Sequence, residues 1–252
     1  SGIRSTRRTK RLAEGTMKES PDGVHAEVSN PQQNGELRKS QALEAAAGLV
    51  VALVLPVGIV LGIPALLGDD MSTLVGLASM LLLTAAVVFL TVRVERRGWS
   101  GIGVRCTRVR DVMLSLGLGV ALMLLVPALS LLGSLLLTMN GADITSAASN
   151  PWPLVLFGVL TAAVTEEVLF RSYPIERIAA LTKTPWPGAI LGLAAFTVLH
   201  AGNWNLAHVL FVVLPLGLLL ALIYVWRRSL LVVVIAHFVT DIPLVVLSIA
   251  GK

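Results

Sequence analysis

Charged residues are scarce in this sequence of 252 residues, in which Asp, Glu, Lys and Arg together make up 14%. A soluble globular domain carries about 25%, so the composition excludes an ordinary soluble domain. Hydrophobic residues make up 55%, and several apolar runs reach the ~20 residues that cross a bilayer as a helix. We therefore predict an all-α, polytopic transmembrane helix bundle.

The sequence contains a single cysteine, Cys106, which excludes an intrachain disulfide. Residues 1–41 lack a periodic apolar pattern and also lack the short apolar core of a signal peptide. We expect a disordered cytoplasmic tail that is not cleaved. The first methionine is Met17, and we expect the native start at Ser1 or at Met17.

Apolar residues predict about seven spans, at 43–67, 72–92, 112–139, 153–173, 187–200, 205–226 and 229–249. One of these spans is longer than a single crossing needs, which leaves room for an eighth, hidden or re-entrant segment within 112–139. The five tryptophans fall at or near span ends, as expected for indole rings at the headgroup level. Gly58-x3-Gly62 and Gly188-x3-Gly192 place small residues on one helix face, as close helix packing requires.

The net charge of +5 raises the question of a nucleic-acid partner, but the positions of the cations argue against one. Of the 20 Lys and Arg, eight lie within 1–40 and six within 93–110. Cytoplasmic placement of both segments satisfies the positive-inside rule at every connecting loop. We therefore expect no nucleic acid among the partners. The compact chain favours a bacterial plasma membrane, with a cytoplasmic N-terminus.

Ionisable residues within the spans are concentrated in the last four spans. A charge at the bilayer centre costs about 2.5–3.5 kcal/mol, so such groups need partners or a function. The sequence thus divides into an N-terminal scaffold of three spans, 42–139, with a basic cytoplasmic loop at 93–110, and a catalytic core, 140–252. The ionisable residues of the core's spans are Glu166, Glu167, Arg171, His200, His208, His237 and Asp241.

Spacing predicts which of these side chains share a helix face. Glu167 and Arg171 are four residues apart and can pair, which leaves Glu166 free to act as a base. His237 and Asp241 are also four apart and can address the same point.

Two further residues affect the geometry of this region. Pro243 lacks the amide hydrogen that would bond the carbonyl of Val239, so we predict a kink there. We interpret His208, which lies near a helix end, as a hydrogen-bond partner between helices.

Three of these segments carry a resemblance. Residues 165–171 contain Glu-Glu-x3-Arg, residues 196–200 read Phe-x3-His, and residues 237–241 read His-x3-Asp. In this order they resemble the motifs of the CAAX prenyl protease and bacteriocin-processing (CPBP, Abi) family, in a bacterial-type form. The run 97–103 is similar to the loop that precedes the family's core, so the resemblance covers about residues 97–250.

The resemblance implies an intramembrane endopeptidase that hydrolyses membrane-associated proteins or peptides with a Glu- and His-activated water. In this scheme Glu166, assisted by His200, polarises the water. His237 and Asp241 of the third motif stabilise the negative charge that develops on the oxyanion. The implied partners are the lipid bilayer and the peptide substrate. The implied site residues are Glu166, Glu167, Arg171, His200, His237 and Asp241.

Two departures from the family pattern bear on this scheme. Asp241 stands where the prenyl proteases have Asn, and an ionised Asp cannot donate a hydrogen bond to an oxyanion. It is therefore protonated, orients His237, or helps to hold a metal. Ser172 and Pro174 replace the residues usual after the motif arginine and predict a break in the helix.

The need for a cofactor stays open at this point. Two histidines and a carboxylate can supply three ligands to a catalytic divalent metal such as Zn²⁺ and leave one position for water. The ligands, if any, are Glu166, His200 and His237. The sequence therefore fits either a metalloprotease or a glutamate-type protease.

Two other classes of function compete with an enzyme. The first is a non-catalytic protein that confers bacteriocin self-immunity or binds a membrane partner. The second is a small proton-coupled transporter, because buried carboxylates and histidines also form ion relays. The substrate, the cleavage site and the oligomeric state are not defined by the sequence.

Overall fold

The computed structural model describes residues 31–62, 69–137, 150–202 and 204–251. Within this part of the chain all regular structure is helical, and no β-strand occurs. Six helices are long and apolar enough to cross a membrane, and a seventh apolar helix is shorter. The prediction of an all-α bundle with about seven spans is confirmed.

The seven apolar helices, named α1 to α7 in chain order, span Lys39–Gly62, Leu74–Val94, Val109–Leu137, Trp152–Thr182, Trp186–Ala201, Leu206–Arg227 and Leu230–Ala250. Helical structure precedes the first two of these spans, beginning at Pro31 and Asp69. Since α3 is continuous, the eighth segment that its length allowed does not occur within Val109–Leu137.

The start of the first helix corrects the predicted boundary of the tail. The helical segment Pro31–Leu49 begins ten residues before residue 41, so residues 31–41 are helical and not disordered. Proline is well suited to the first helical position. The N–H group that it lacks would have no hydrogen-bond partner within the helix there. Most of the residues that follow, such as Gln, Glu, Leu, Lys and Ala, are good helix formers, although Asn34, Gly35 and Ser40 are not. The remainder of the predicted tail, residues 1–30, lies outside the described residues.

Helix α4 lies at the centre of the bundle. Within its membrane-spanning window 56% of the residues are buried, against 11% in α3, which is largely an outward-facing apolar helix. The second half of α4 packs on α5, and the first half packs on α7, which also contacts α3 along its length. Phe170 and Tyr173 of α4 belong to the larger buried apolar cluster.

Helix α4 does not break at Ser172 and Pro174, and that prediction is wrong. The helix passes through the π-helical segment Glu167–Ser172 and continues as the α-helical segment Tyr173–Thr182. The wider π turn leaves backbone carbonyls without their usual partner, so a residue that lacks an N–H is tolerated there. The chain thereby keeps one continuous helix through the first motif.

Helix α5 approaches this irregular turn closely through two glycines. A Cβ on Gly188 would come within 2.5 Å of the Pro174 carbonyl oxygen, and one on Gly192 would meet the Phe170 carbonyl oxygen. The Phe170 carbonyl is the group that Pro174 would have bonded if it had an N–H. By contrast, a Cβ on Gly58 would meet nothing within 4 Å. Of the two small-residue pairs, the pair on α5 is therefore the one at a helix contact.

The helix ends near the loop 95–108 are joined by polar contacts, and we call this the basic end of the bundle. The Ser172 hydroxyl donates to the Ile102 carbonyl over 2.5 Å, and the Leu230 amide donates to the Gly103 carbonyl over 2.9 Å. Gly103 has φ 71°, and a Cβ there would collide with the Tyr224 hydroxyl. Helix α7 continues across Pro243, and the kink there stays a prediction.

Replacing Gly192 with Ala should destabilise the bundle by about 1–3 kcal/mol, because the added methyl overpacks the contact with the Phe170 carbonyl. The matched control is Gly158→Ala, where a Cβ meets nothing within 4 Å. The free energy of unfolding, measured by SDS titration in mixed micelles, tests this. Equal stability of the two variants would contradict the close contact.

Candidate active site

The two adjacent carboxylates of α4 have different surroundings. Glu167 is fully buried, and its Oε1 accepts a hydrogen bond from Arg171 Nη1 over 3.0 Å. The side chain of Glu166 is 12% exposed and lines an interior cavity. The predicted Glu167–Arg171 pair is present, and Glu166 takes no part in it.

His237 of α7 contacts all three carboxylates of the candidate site. Its Nδ1 lies 2.7 Å from Glu167 Oε1. An ionised carboxylate only accepts hydrogen bonds, so Nδ1 carries a hydrogen and donates it. The other ring nitrogen, Nε2, lies 3.4 Å from Asp241 Oδ2 and 3.9 Å from Glu166 Oε2. Glu167 therefore orients His237 across two helices.

His200, near the end of α5, is held by its own helix. Its Nδ1 lies 2.8 Å from the Phe196 carbonyl oxygen. Since a carbonyl only accepts, Nδ1 is the donor, and in the neutral ring Nε2 is left as an acceptor. The His200 ring also packs on the Phe196 ring, with centroids 4.3 Å apart.

Phe196 connects His200 to the buried ion pair. The guanidinium of Arg171 lies over the Phe196 ring, 3.9 Å from its centroid, which is a cation–π arrangement. Phe170 meets the same ring edge-on, with centroids 5.9 Å apart. With 2% of its surface exposed, Phe196 is mainly a core residue. The first motif thus positions the second motif by direct contact.

A cavity of about 430 Å³ lies between α3, α4, α5, α6 and α7. Four predicted site residues line it, and the Glu167–Arg171 pair lies behind its wall. The rest of the wall is mostly apolar and includes Met123, Val126, Leu216, Leu244 and Leu247. The cavity-lining site residues are Glu166, His200, His237 and Asp241.

His208 and Trp204 also line this cavity, which the sequence analysis did not anticipate. Their rings are stacked, with centroids 4.5 Å apart and planes inclined by 27°. Nδ1 of His208 has no hydrogen-bond partner among the described residues, so the expected bond between helices is not found at this atom. His208 stands eight residues after His200 and outside the motifs, and sequence spacing alone does not signal its position.

The candidate metal ligands do not form a metal-binding set in the described part of the chain. No group of three or more His, Cys, Asp or Glu side chains is arranged there to hold an ion. Nδ1 of His200 and Nδ1 of His237 are both engaged by protein acceptors, so each ring has only Nε2 left. A histidine that binds a metal through Nε2 usually donates its Nδ1–H to a carboxylate or a carbonyl, so a metal at Glu166, His200 and His237 stays a prediction.

These features define a polytopic membrane protein with ionisable side chains in an internal cavity. A polytopic helix bundle that encloses carboxylates and imidazoles in an apolar-walled cavity has the groups that hydrolysis inside a membrane requires. Such ionisable groups within membrane spans are costly and mark function.

Comparison with protein families gives the narrower assignment. Residues 148–243, rather more than a third of the chain, match the family model described as type II CAAX prenyl endopeptidase Rce1-like. Residues 148–243 are therefore similar to the CAAX proteases, a family of intramembrane proteases. All three motifs lie inside the match, whereas the run 97–103 lies outside it. No curated protein and no solved structure matched the chain.

Replacing Arg171 with Met should lower the free energy of unfolding by about 3–5 kcal/mol, because it removes one partner of a buried ion pair and leaves the Glu167 carboxylate with His237 alone. SDS titration of the purified protein measures this loss. The matched control is Arg93→Met, which removes an exposed arginine from α2. A loss no larger than that of the control would show that the pair does not stabilise the bundle.

Proposed function

We propose that the chain is an intramembrane endopeptidase of the glutamate type, in which Glu166 activates the attacking water. One observation carries the proposal: Glu166, His200, His237 and Asp241 line a single cavity within the helix bundle. Hydrolysis of a peptide bond needs a base for water and a donor for the oxyanion of the tetrahedral intermediate. This set of side chains can supply both.

Glu166 is the better base of the two adjacent carboxylates. Glu167 Oε1 is engaged by Arg171 and His237, at 3.0 and 2.7 Å. The contact between Glu166 and His237 is longer, at 3.9 Å, and Glu166 faces the cavity. A water in the cavity can therefore donate to Glu166 and transfer its proton there as it attacks the carbonyl carbon.

His200 acts on the same water and later on the leaving group. With Nδ1–H fixed by the Phe196 carbonyl, Nε2 accepts a hydrogen from the water and aligns it. The proton that Glu166 removes then passes to the leaving amine, directly or through His200. The peptide C–N bond breaks, the new carboxyl group keeps the oxygen of the water, and the base is regenerated.

His237 is the proposed oxyanion donor, and Asp241 is its orienting partner. A proton on Nε2 makes the ring an imidazolium that Glu167 stabilises from the opposite side. Asp241 Oδ2, at 3.4 Å, accepts from Nε2 in the ground state. Of the three roles open to Asp241, this contact supports the orienting one. No step of the mechanism passes through a metal.

The walls of the site suit an apolar, membrane-associated substrate. A second cavity of about 230 Å³, lined mostly by apolar groups, shares Ala162, Asp241 and Leu244 with the first. An extended peptide could lie on both sides of Asp241 across the two cavities. We therefore propose membrane-associated proteins or peptides as substrates, in a bacterial plasma membrane and with the basic end and the N-terminus in the cytoplasm.

Glu166→Gln should reduce cleavage by about 10²–10⁴-fold, because the general base is lost while its shape is kept. Proteoliposomes that contain a library of membrane-anchored, internally quenched peptides provide the assay. The matched control is Glu44→Gln, which neutralises a carboxylate outside the cavity and should cleave like the wild type. Retained cleavage by the folded Glu166 variant would refute the assignment.

Asp241→Asn should retain most of the activity, since an amide oxygen can still accept from His237 Nε2. Asp241→Leu should lose about 10- to 100-fold, the equivalent of one hydrogen bond to a charged group. The same proteoliposome assay compares the two variants. If the Asn variant were as inactive as the Leu variant, the negative charge itself would be required and the orienting role would be wrong.

A further inference from the structure

A third cavity, of about 390 Å³ and lined mostly by polar groups, lies at the basic end of the bundle and shares no lining residue with the other two. Its lining comes from the loop 95–108, from the last part of α4 and from the residue that follows α6. The lining residues that can bind a ligand by charge are Arg97, Glu176, Arg177 and Arg228. We propose that this cavity binds the phosphodiester headgroup of an anionic membrane lipid.

The carboxylates around the cavity already have partners. Glu176 accepts from the Tyr224 hydroxyl over 3.0 Å and pairs with Arg228 at 3.3 Å and with Arg105 at 3.8 Å. Arg177 pairs with Glu95, whose other oxygen accepts from the Tyr173 hydroxyl over 3.1 Å. The local acidic groups are therefore engaged and leave room for an external anion.

The cations outnumber the anions at this cavity. Four guanidinium groups, those of Arg97, Arg105, Arg177 and Arg228, face three carboxylates, those of Glu44, Glu95 and Glu176, so one positive charge is in excess. Phosphate matches the planar fork of a guanidinium, which can donate two parallel hydrogen bonds to it. The excess charge selects an anion, and the arginines favour phosphate.

Unused donors point in the same direction. The side chain of Arg177 is 3% exposed, and its Nε has no hydrogen-bond partner among the described residues. The same is true of Nη1 of Arg228. A buried donor without a partner costs free energy, and the oxygens of a bound phosphate can supply the missing acceptors.

The position of the cavity, at the level expected for the lipid headgroups, favours a lipid over a soluble phosphate. Trp99, Trp186 and Trp226, all at the basic end, are exposed by 59%, 51% and 62%. Exposed indole rings mark the headgroup level of a bilayer, and basic pockets at this level suit anionic headgroups. Leu181, adjacent to cavity-lining Ala180, is also exposed. The acyl chains of a bound lipid would therefore continue along an apolar surface.

The experiment measures lipid binding to the purified full chain in neutral detergent by native mass spectrometry, with added phosphatidylglycerol or phosphatidylcholine. The wild type should bind phosphatidylglycerol preferentially. Arg97→Gln and the double variant Arg97→Gln/Arg228→Gln should weaken this binding by about fivefold per arginine removed. The single variant Arg97→Gln keeps the Arg228–Glu176 pair intact. It therefore still tests the proposal if the double variant fails to fold.

The matched control is the double variant Arg93→Gln/Arg108→Gln, which removes two exposed arginines of the same region that do not line the cavity. Binding by this control should stay within about twofold of the wild type, as for surface charges without a specific contact. An equal loss in the control, or no loss in the cavity variants, would overturn the proposal. Displacement of the lipid by equimolar glycerol phosphate would also overturn it, since the site would then bind a soluble anion.

The measurement uses no peptide substrate, so its result is independent of the proposed peptidase activity.

Discussion

The buried carboxylate of Glu167 is the constraint on which the rest of the site depends. It lies inside a membrane helix bundle and is compensated by Arg171 of its own helix and by His237 of α7. Arg171 in turn packs over Phe196, whose carbonyl and ring hold His200. A single buried charge thus joins three helices, because any arrangement that left it unpaired would cost several kcal/mol. The orientations of both imidazoles follow from that requirement.

This arrangement explains why two neighbouring glutamates can take separate roles. The α-helical part of α4 ends at Glu166, and the π-helical segment begins at Glu167. One carboxylate turns into the packed interior and the other faces the cavity. The π turn also exposes the Phe170 carbonyl to Gly192 and tolerates Pro174, so α5 can approach closely. The irregular backbone at the first motif therefore brings the second motif near it, and π turns of this kind are frequent at functional sites.

The helix spans and the side-chain pairs within one helix could be predicted from the sequence, because both depend only on residues close together in the chain. Hydropathy located the seven spans, and a spacing of four residues predicted the Glu167–Arg171 pair. The contact between Glu167 and His237 could not be predicted, since it joins residues 70 positions apart. The π-helical segment was mistaken for a helix break because Ser and Pro are compatible with either structure, and the sequence alone does not distinguish the two. His208 was missed as a cavity residue because its location depends on how α6 packs, and the helix from Pro31 was missed because polar composition outweighed propensity.

The central claim is that the cavity is a proteolytic centre, and a comparison of membrane proteomes tests it most directly. Membranes are prepared from cells that carry the wild-type chain, the Glu166→Ala variant, or a Glu166→Ala/His200→Ala double variant at equal abundance. Peptide termini are then sequenced by mass spectrometry. The account predicts new termini in membrane-associated proteins or peptides only with the wild type. Identical termini in all three membranes, with self-immunity or partner binding retained by the double variant, would contradict it.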